Sequence, residues 1–413
     1  MFAYNTSMWL YERAVHIAAL RNPKARQWRD GRRNIFKRLK ESIGSTENIV
    51  WVHCASLGEF EQGRPIIERL KQERPEVRIL LTFFSPSGYE IRKNYTGADF
   101  IFYLPIDRHS YARRFLDIVR PVAAVFVKYE FWHNYLAELR RRKVPTYVVS
   151  AIFRRDSIFF RPWGGAWRKA LHSFSSIYVQ NEESRTLLAE LGIGNVIVAG
   201  DTRFDRVAAI ARAARQIPLI EKFKGEYRLF VAGSTWGPDE ERLVELINEN
   251  PEIRFVIAPH EMDEERIAWL ASAVKGGAVR YTQVDAKSNF ENTQVLILDT
   301  VGILSSVYGY AEWGYIGGGF GVGIHNTLEA ATFGLPIAFG PKYQKFKEAC
   351  DLIAIGAARS INSADELLEW FAPLRDDRAL LEAQRNAARS YTEANCGATE
   401  LITADILSKI EHR

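Results

Sequence analysis

A chain of 413 residues is longer than one hydrophobic core usually organises, so two domains are expected. Hydrophobic residues make up 47% and charged residues 25%, which excludes the disordered and fibrous classes, and a net charge of only +5, with the basic residues gathered at the amino terminus, argues against nucleic acid as a partner. Three cysteines without a CxxC pair, Cys54, Cys350 and Cys396, exclude a disulfide framework and a zinc cluster and fit a reducing cytoplasm.

The first apolar stretch, Met8 to Leu20, is interrupted by Glu12, Arg13 and His16, lacks a small-residue cleavage site and is too short to span a bilayer. It reads as amphipathic, with Trp9, Leu10, Val15, Ile17 and Leu20 available to one side. From Arg21 to Lys40 there are nine Lys or Arg residues against one acid, Asp30. Residues 1–40 therefore read either as a segment drawn to an anionic membrane surface or as a solvated basic helix face.

Short β-branched or aromatic runs then alternate with helical stretches, the pattern of parallel sheets covered on both faces. Strands are expected at Ile49 to His53, Val77 to Thr82, Phe100 to Tyr103, Ala123 to Val127, Thr146 to Val149, Ile177 to Val179 and Val196 to Ala199. Helices are expected at Gly63 to Glu73, Ser110 to Val119, Trp132 to Arg142 and Glu183 to Leu191. The alternation breaks between Ala208 and Gly225, which sets a domain junction there. A second series follows at Arg228 to Ala232, Arg254 to Ala258, Val295 to Leu298, Gly314 to Ile316 and Pro336 to Phe339. The expected fold is α/β, with two Rossmann-like doubly wound domains, 41–210 and 211–413, facing a cleft at the carboxyl ends of their strands.

Two stretches carry chemistry. Trp51 to Glu59 is a strand running through small residues into a helix, with Glu59 at the strand's carboxyl end. A carboxylate there serves either as a general base or as an ordinary helix-start acid, and the residues alone favour the second. Ile316 to Glu329 holds five glycines after a strand, and is either a phosphate-approaching loop or a tightly packed turn. It is neither a Walker loop nor a convincing dinucleotide fingerprint. Glu329 is positioned to accept hydrogen bonds from ribose hydroxyls. His260 and His325 have no third ligand at metal spacing, and no GxSxG elbow occurs, so neither a metal site nor a serine hydrolase is expected.

With these residues in view, nearly the whole chain resembles the bacterial Kdo transferases, which move 3-deoxy-D-manno-octulosonic acid from CMP-Kdo onto the lipid A precursor. The HxxSxGE motif stands as His53, Ser56, Gly58 and Glu59, the acidic-aromatic motif as Glu130-Phe131-Trp132-His133-Asn134, with His133 in place of a proline, and the GxxKFD motif as Gly200 to Asp205, with Arg203 in place of the lysine. The resemblance implies a GT-B type, metal-independent inverting glycosyltransferase without a cofactor. It gives Glu59 the role of base, Glu130 and Arg203 stabilising roles, and CMP contacts to Pro259, His260, Val301, Gly302, Ile303, Asn326, Thr327, Leu328 and Glu329. Helix-start amides near Asn326 and the Arg203 side chain are the expected stabilisers of leaving-group charge. Membership also implies attachment of residues 1–40 to the cytoplasmic face of the inner membrane. The rival readings are a transferase or epimerase using a UDP-sugar, and a silent nucleotide-binding scaffold.

Overall fold

The computed structural model describes residues 2–411; Met1 and residues 412–413, the outer ends of the sequence-based domain limits, lie outside them. It contains two compact units, Met1–Asp205 with Cys396–Arg413, and Arg206–Asn395.

The first unit is built on a seven-stranded sheet of β1 (Ile49–Cys54), β2 (Arg78–Phe83), β3 (Phe100–Tyr103), β4 (Ala123–Val127), β5 (Thr146–Ala151), β6 (Ser176–Val179) and β7 (Val196–Val198). Their order across the sheet is β3-β2-β1-β4-β5-β6-β7, all parallel. Strands buried on both faces must be apolar nearly throughout, and β1 is buried at every position. Successive side chains enter opposite cores. Ile49 and Trp51 pack with Phe115 and Tyr135 on one face, while Val50, Val52 and Cys54 pack with Phe60 and Ile66 on the other. β1 pairs with both β2 and β4, so the chain's direction of winding reverses between β1 and β4, and a crevice opens beyond their carboxyl ends.

The amino-terminal residues belong to this unit. Helix Phe2–Ala18 is fastened through Asp107, which accepts hydrogen bonds from Tyr4 Oη at 2.7 Å, Asn134 N at 3.0 Å and Tyr135 N at 3.1 Å. Burial pushes the Asp107 carboxyl up to about 6. Helices Pro23–Gly31 and Ile35–Ile43 bury Trp28, Ile35, Leu39 and Ile43. Between them the Arg32 guanidinium donates to the carbonyls of Leu104 at 2.8 Å, Trp28 at 3.0 Å and Phe84 at 2.9 Å, and lies over the Trp28 ring at 3.9 Å. Among the described residues no carboxylate reaches ion-pair distance of Arg32, and burial lowers its pKa to about 9. The basic run is thus partly a folded element that closes the carboxyl side of β2 and β3.

The second unit repeats the plan with β8 (Arg228–Thr235), β9 (Ile253–Pro259), β10 (Ala278–Arg280), β11 (Val295–Ile297), β12 (Trp313–Ile316), β13 (Ile337–Phe339) and β14 (Ala358–Ser360). Their order is β10-β11-β9-β8-β12-β13-β14, again all parallel, with the reversal between β8 and β12. The five strands read from the sequence are present, and two three-residue edge strands, β10 and β14, join them. The stretch read as a junction is helical, Thr202–Arg212 and Pro218–Lys224, and the units divide at Asp205.

The sequence reading runs the second domain to residue 413; the structure instead returns the chain to the first unit from Cys396. Helix Ala398–Glu411 buries Ile402 and Ile406 in the core beneath helix Leu57–Glu73, and its Asp405 accepts from Ser176 Oγ at 2.9 Å and Tyr178 Oη at 2.6 Å. Asp205 holds the start of that helix, accepting from Gly397 N at 2.6 Å, Thr399 N at 2.7 Å and Thr399 Oγ1 at 2.8 Å. An acid bonded to several first-turn donors stabilises a helix end by roughly 1–2 kcal/mol. Asp205→Ala is therefore expected to lower unfolding free energy by about that amount in urea titrations and to speed proteolytic loss of the last helix.

Candidate active site

In the first unit Glu59 and Glu130 stand together at the β1–β4 reversal. Helix Leu57–Glu73 begins directly after β1, with Ser56 as its amino-terminal cap, and Glu59 Oε2 accepts the Ser56 amide at 3.0 Å. The helix presses closely on the strand ends because Gly63 faces them: a Cβ there would meet Cys54 Sγ at 2.9 Å and Val127 Cγ2 at 3.2 Å. Glu59 is consequently half-buried at the crevice edge. The helix-start bond to the Ser56 amide and the position past the end of β1 coexist.

Glu130 follows β4. Lys128 takes a left-handed φ of 61°, reversing the chain as it leaves the strand, and Glu130 is 9% exposed. Its Oε2 accepts the Trp132 indole N–H at 2.6 Å and lies 3.2 Å from His53 Nε2. His53 Nδ1 lies 2.8 Å from Thr82 Oγ1, which in turn accepts the Trp51 indole N–H at 2.8 Å. His53 Nδ1 also lies 3.1 Å from Thr82 O, and the Trp132 indole N–H lies 3.0 Å from His53 Nε2, so His53, Trp132 and Glu130 form one connected polar cluster whose donor directions follow the His53 tautomer. Glu130 Oε2 thus accepts the Trp132 N–H and has His53 Nε2 within hydrogen-bond distance.

Glu59 is treated oppositely. Burial first, and the neighbouring Glu130 charge second, raise its carboxyl to about 7, against smaller opposing effects from the Ser56 amide and Lys128. A carboxyl poised near neutrality, beside a second one held by donors, is the division that acid–base chemistry exploits.

Arg203, third of the predicted catalytic group, sits at the start of helix Thr202–Arg212 and pairs with Asp201 Oδ2 through Nε at 2.9 Å and Nη2 at 2.8 Å. Gln62, on the same helix as Glu59, donates to that oxygen at 3.0 Å. The guanidinium is oriented by Asp201, and its side chain is 30% exposed.

In the second unit the predicted residues lie at the carboxyl ends of β9, β11 and β12. Pro259 closes β9, and the His260 amide donates to Thr235 O at 2.9 Å. Val301 and Gly302 form an exposed turn after β11, with Ile303 half-buried behind it. Asp299 is held by Arg280 at 2.7 Å and by the Thr282 amide at 2.9 Å. Glu329 accepts from Ser305 Oγ on one oxygen and Asn326 Nδ2 at 3.0 Å on the other. Thr327 Oγ1 is buried without a hydrogen-bond partner, and Leu328 is buried. The helix expected after Asn326 is a single turn, Leu328–Ala331, so a helix dipole contributes little to leaving-group stabilisation there. Part of the glycine run serves packing: a Cβ on Gly317 would meet Ser234 O at 2.2 Å.

Sequence reading missed one arrangement. Trp236, His260 and His325 stack in series, with ring centroids 4.7 Å apart for Trp236 and His260 and 4.4 Å for His260 and His325. Trp236 Nε1 donates to His325 Nε2 at 3.1 Å, and burial, then His260, lowers the His325 pKa. Trp236 follows β8, and Ser234 before it takes a left-handed φ of 54°. An aromatic residue just past a strand end was the available signal. Among the described residues no group of three or more His, Cys, Asp or Glu side chains is placed to hold a metal ion.

Residues 31–206 match the family model described as 3-Deoxy-D-manno-octulosonic-acid transferase (kdotransferase). The 3-deoxy-D-manno-octulosonic acid transferase of Bordetella pertussis is 29% identical over 370 residues, 85% of this chain and 85% of its own. That of Aquifex aeolicus (strain VF5) is 28% identical over 348 residues, 81% of this chain and 88% of its own. Among solved structures, Acinetobacter baumannii MurG matches with a TM-score of 0.55 at 15% identity, covering 87% of this chain and 99% of its own, a likeness of fold alone. The two α/β units and these matches define a glycosyltransferase of GT-B fold. Over most of its length the chain is similar to Kdo transferases, and residues 31–206, within its first unit, match the model of that family.

The raised Glu59 pKa has a consequence for stability. The native state keeps this proton up to about pH 7 while the unfolded chain releases it near 4.5, so stability falls as pH rises through that window. Replacing Glu59 with Gln removes the dependence and keeps the helix-start acceptor. Urea midpoints measured at pH 5 and pH 8 are expected to show a fall in the native protein larger than in E59Q by on the order of 1–2 kcal/mol.

Proposed function

We propose that the chain transfers Kdo from CMP-Kdo to a lipid A precursor with inversion, without a metal or cofactor, at the cytoplasmic face of the inner membrane. The observation that carries this reading is the Glu59–Glu130 pair at the β1–β4 reversal, with Glu59 raised to about 7. Glu59 takes the proton of an acceptor hydroxyl; that oxygen attacks the anomeric carbon of Kdo; the bond from that carbon to the phosphate oxygen breaks, and CMP leaves. Glu130, kept in place by His53 and Trp132, faces developing positive charge at the sugar.

Arg203 stabilises the departing phosphate, its fork oriented by Asp201. In the second unit Pro259, His260, Val301, Gly302, Ile303, Asn326, Thr327, Leu328 and Glu329 hold CMP, with Glu329 toward the ribose. The His260–His325–Trp236 stack adds planar surface and ring nitrogens beside them.

A cavity of about 620 Å³ beside the amino-terminal helices supports a phosphorylated lipid acceptor: Arg29, Arg32, Arg33, Lys37 and Arg114 line it, against Glu12 and Asp30. Leu10, Ile17 and Leu20 of the first helical segment are exposed, which supports a peripheral membrane contact. No helix among the described residues is long and apolar enough to cross a membrane.

Glu59→Ala, assayed with CMP-Kdo and a tetraacylated lipid A precursor, is expected to lower kcat by roughly 10²- to 10⁴-fold. The native rate is expected to rise with pH along a limb centred near 7. Turnover of E59A near the native rate overturns the base assignment, and displacement of bound donor by UDP more readily than by CMP overturns the donor.

A further inference from the structure

One face of the first unit carries a loop and a groove that this reading leaves unused. The turn Ile158–Phe160 leads through Arg161-Pro162-Trp163-Gly164 into helix Gly165–Leu171. Trp163 stands at the tip of that loop and is 71% exposed. The backbone beneath it is braced: Gly164 N donates to Arg161 O at 2.9 Å, and Arg168 Nη1 donates to the carbonyls of Phe159 and Arg161, each at 2.9 Å. An indole held outward in this way offers an apolar ring with one N–H, the combination that partitions to the headgroup level of a bilayer.

A groove of about 580 Å³ opens beside the loop, between helices His133–Arg141 and Gly165–Leu171. Ala137, Ala166 and Ala170 give it small apolar surfaces, and Arg140 and Lys169 stand exposed along it. None of the lining residues is acidic. Glu138, the acid nearest Arg140 in sequence, is held by Arg141 at 2.8 Å and Arg142 at 3.3 Å. The Arg140 and Lys169 charges are thus left to complement an anion from outside the chain.

We infer that the Trp163 loop and the Arg140–Lys169 groove form a docking surface for a bilayer containing anionic phospholipid. The groove takes a headgroup phosphate, and Trp163 enters the interfacial layer. The surface shares no residue with the exposed apolar side chains of helix Phe2–Ala18, and it requires no particular sugar chemistry. The groove adjoins that helix, since His133, which lines it, packs edge-on against Tyr4 with ring centroids 4.6 Å apart, so the two contacts extend one another.

Sedimentation of the full chain with phosphatidylcholine vesicles, with and without a minority of phosphatidylglycerol, tests this. Three variants are compared: Trp163→Ala, the double change Arg140→Glu with Lys169→Glu, and Leu10→Glu with Ile17→Glu. The charge reversal is expected to lower partition onto phosphatidylglycerol vesicles roughly tenfold or more, with circular dichroism and thermal midpoint unchanged. Trp163→Ala is expected to lower binding severalfold on both vesicle types. The inference is overturned if both changes leave binding at the native level while the Leu10/Ile17 variant loses it, which leaves the amino-terminal contact standing. It is also overturned if an anionic oligonucleotide competes fully with the vesicles for the native protein and loses its own binding on charge reversal. Native protein that binds neither vesicle overturns both membrane contacts.

Discussion

Two carboxyls, Glu59 and Glu130, stand past the ends of adjacent parallel strands, and the first unit gives them unequal surroundings. Glu130 Oε2 accepts the Trp132 indole N–H and lies beside His53 Nε2, with His53 itself held against Thr82 and Thr82 against Trp51. Glu59 has the Ser56 amide and remains raised to about 7. Each member of the donor chain stands on a central strand or just past its end, so the proton assignment depends on the register of β1 against β2 and β4. A slip of one residue would move His53 to the opposite face and leave Glu130 without that neighbour.

The same sheet plan has a different outcome in the second unit, where backbone approach and stacked rings dominate over carboxylate pairing. Asp239, fully buried, accepts the Gly318 amide at 2.9 Å, Tyr315 Oη at 2.8 Å and the Trp236 amide at 2.9 Å. One side chain thereby fixes the glycine run and the start of the Trp236–His260–His325 stack together. Asp299 and Glu329, two further acids past these strand ends, are both engaged by protein donors. That engagement holds Glu329 in one orientation, with lone pairs left for hydroxyl donors.

How much of this was legible in the sequence follows from where the information lies. Central strands such as β1 and β4 are buried on both faces and announce themselves as apolar runs. β10 and β14 are three-residue edge strands, each carrying an arginine, and have no such pattern. Nothing in the apolar pattern of the last helix says which unit it packs on; only three-dimensional contact reveals that Ile402 and Ile406 fill the first unit's core. Glu59 was legible as a strand-end acid, whereas its raised pKa depends on burial and on Glu130, a residue distant in sequence. The Trp236–His260–His325 stack draws on three strand ends, and its linear signal is only the placing of single rings just past them.

The segment 201–205 shows how densely one short stretch is used. Asp201 binds both Gln62 and Arg203, Thr202 Oγ1 donates to the Gln62 carbonyl at 2.6 Å, and Asp205 caps the returning helix. Gln62 is one turn beyond Glu59, so the crossover out of the first unit is tied to the helix that presents the candidate base. A lysine at 203 would place a single ammonium against Asp201, with rotational freedom about its stem. An arginine instead locks through two nitrogens of a planar fork, which fixes the direction of its remaining donors. The exchange therefore changes which geometry of anion is favoured more than how much charge is present, and the Asp201 pairing is the reason.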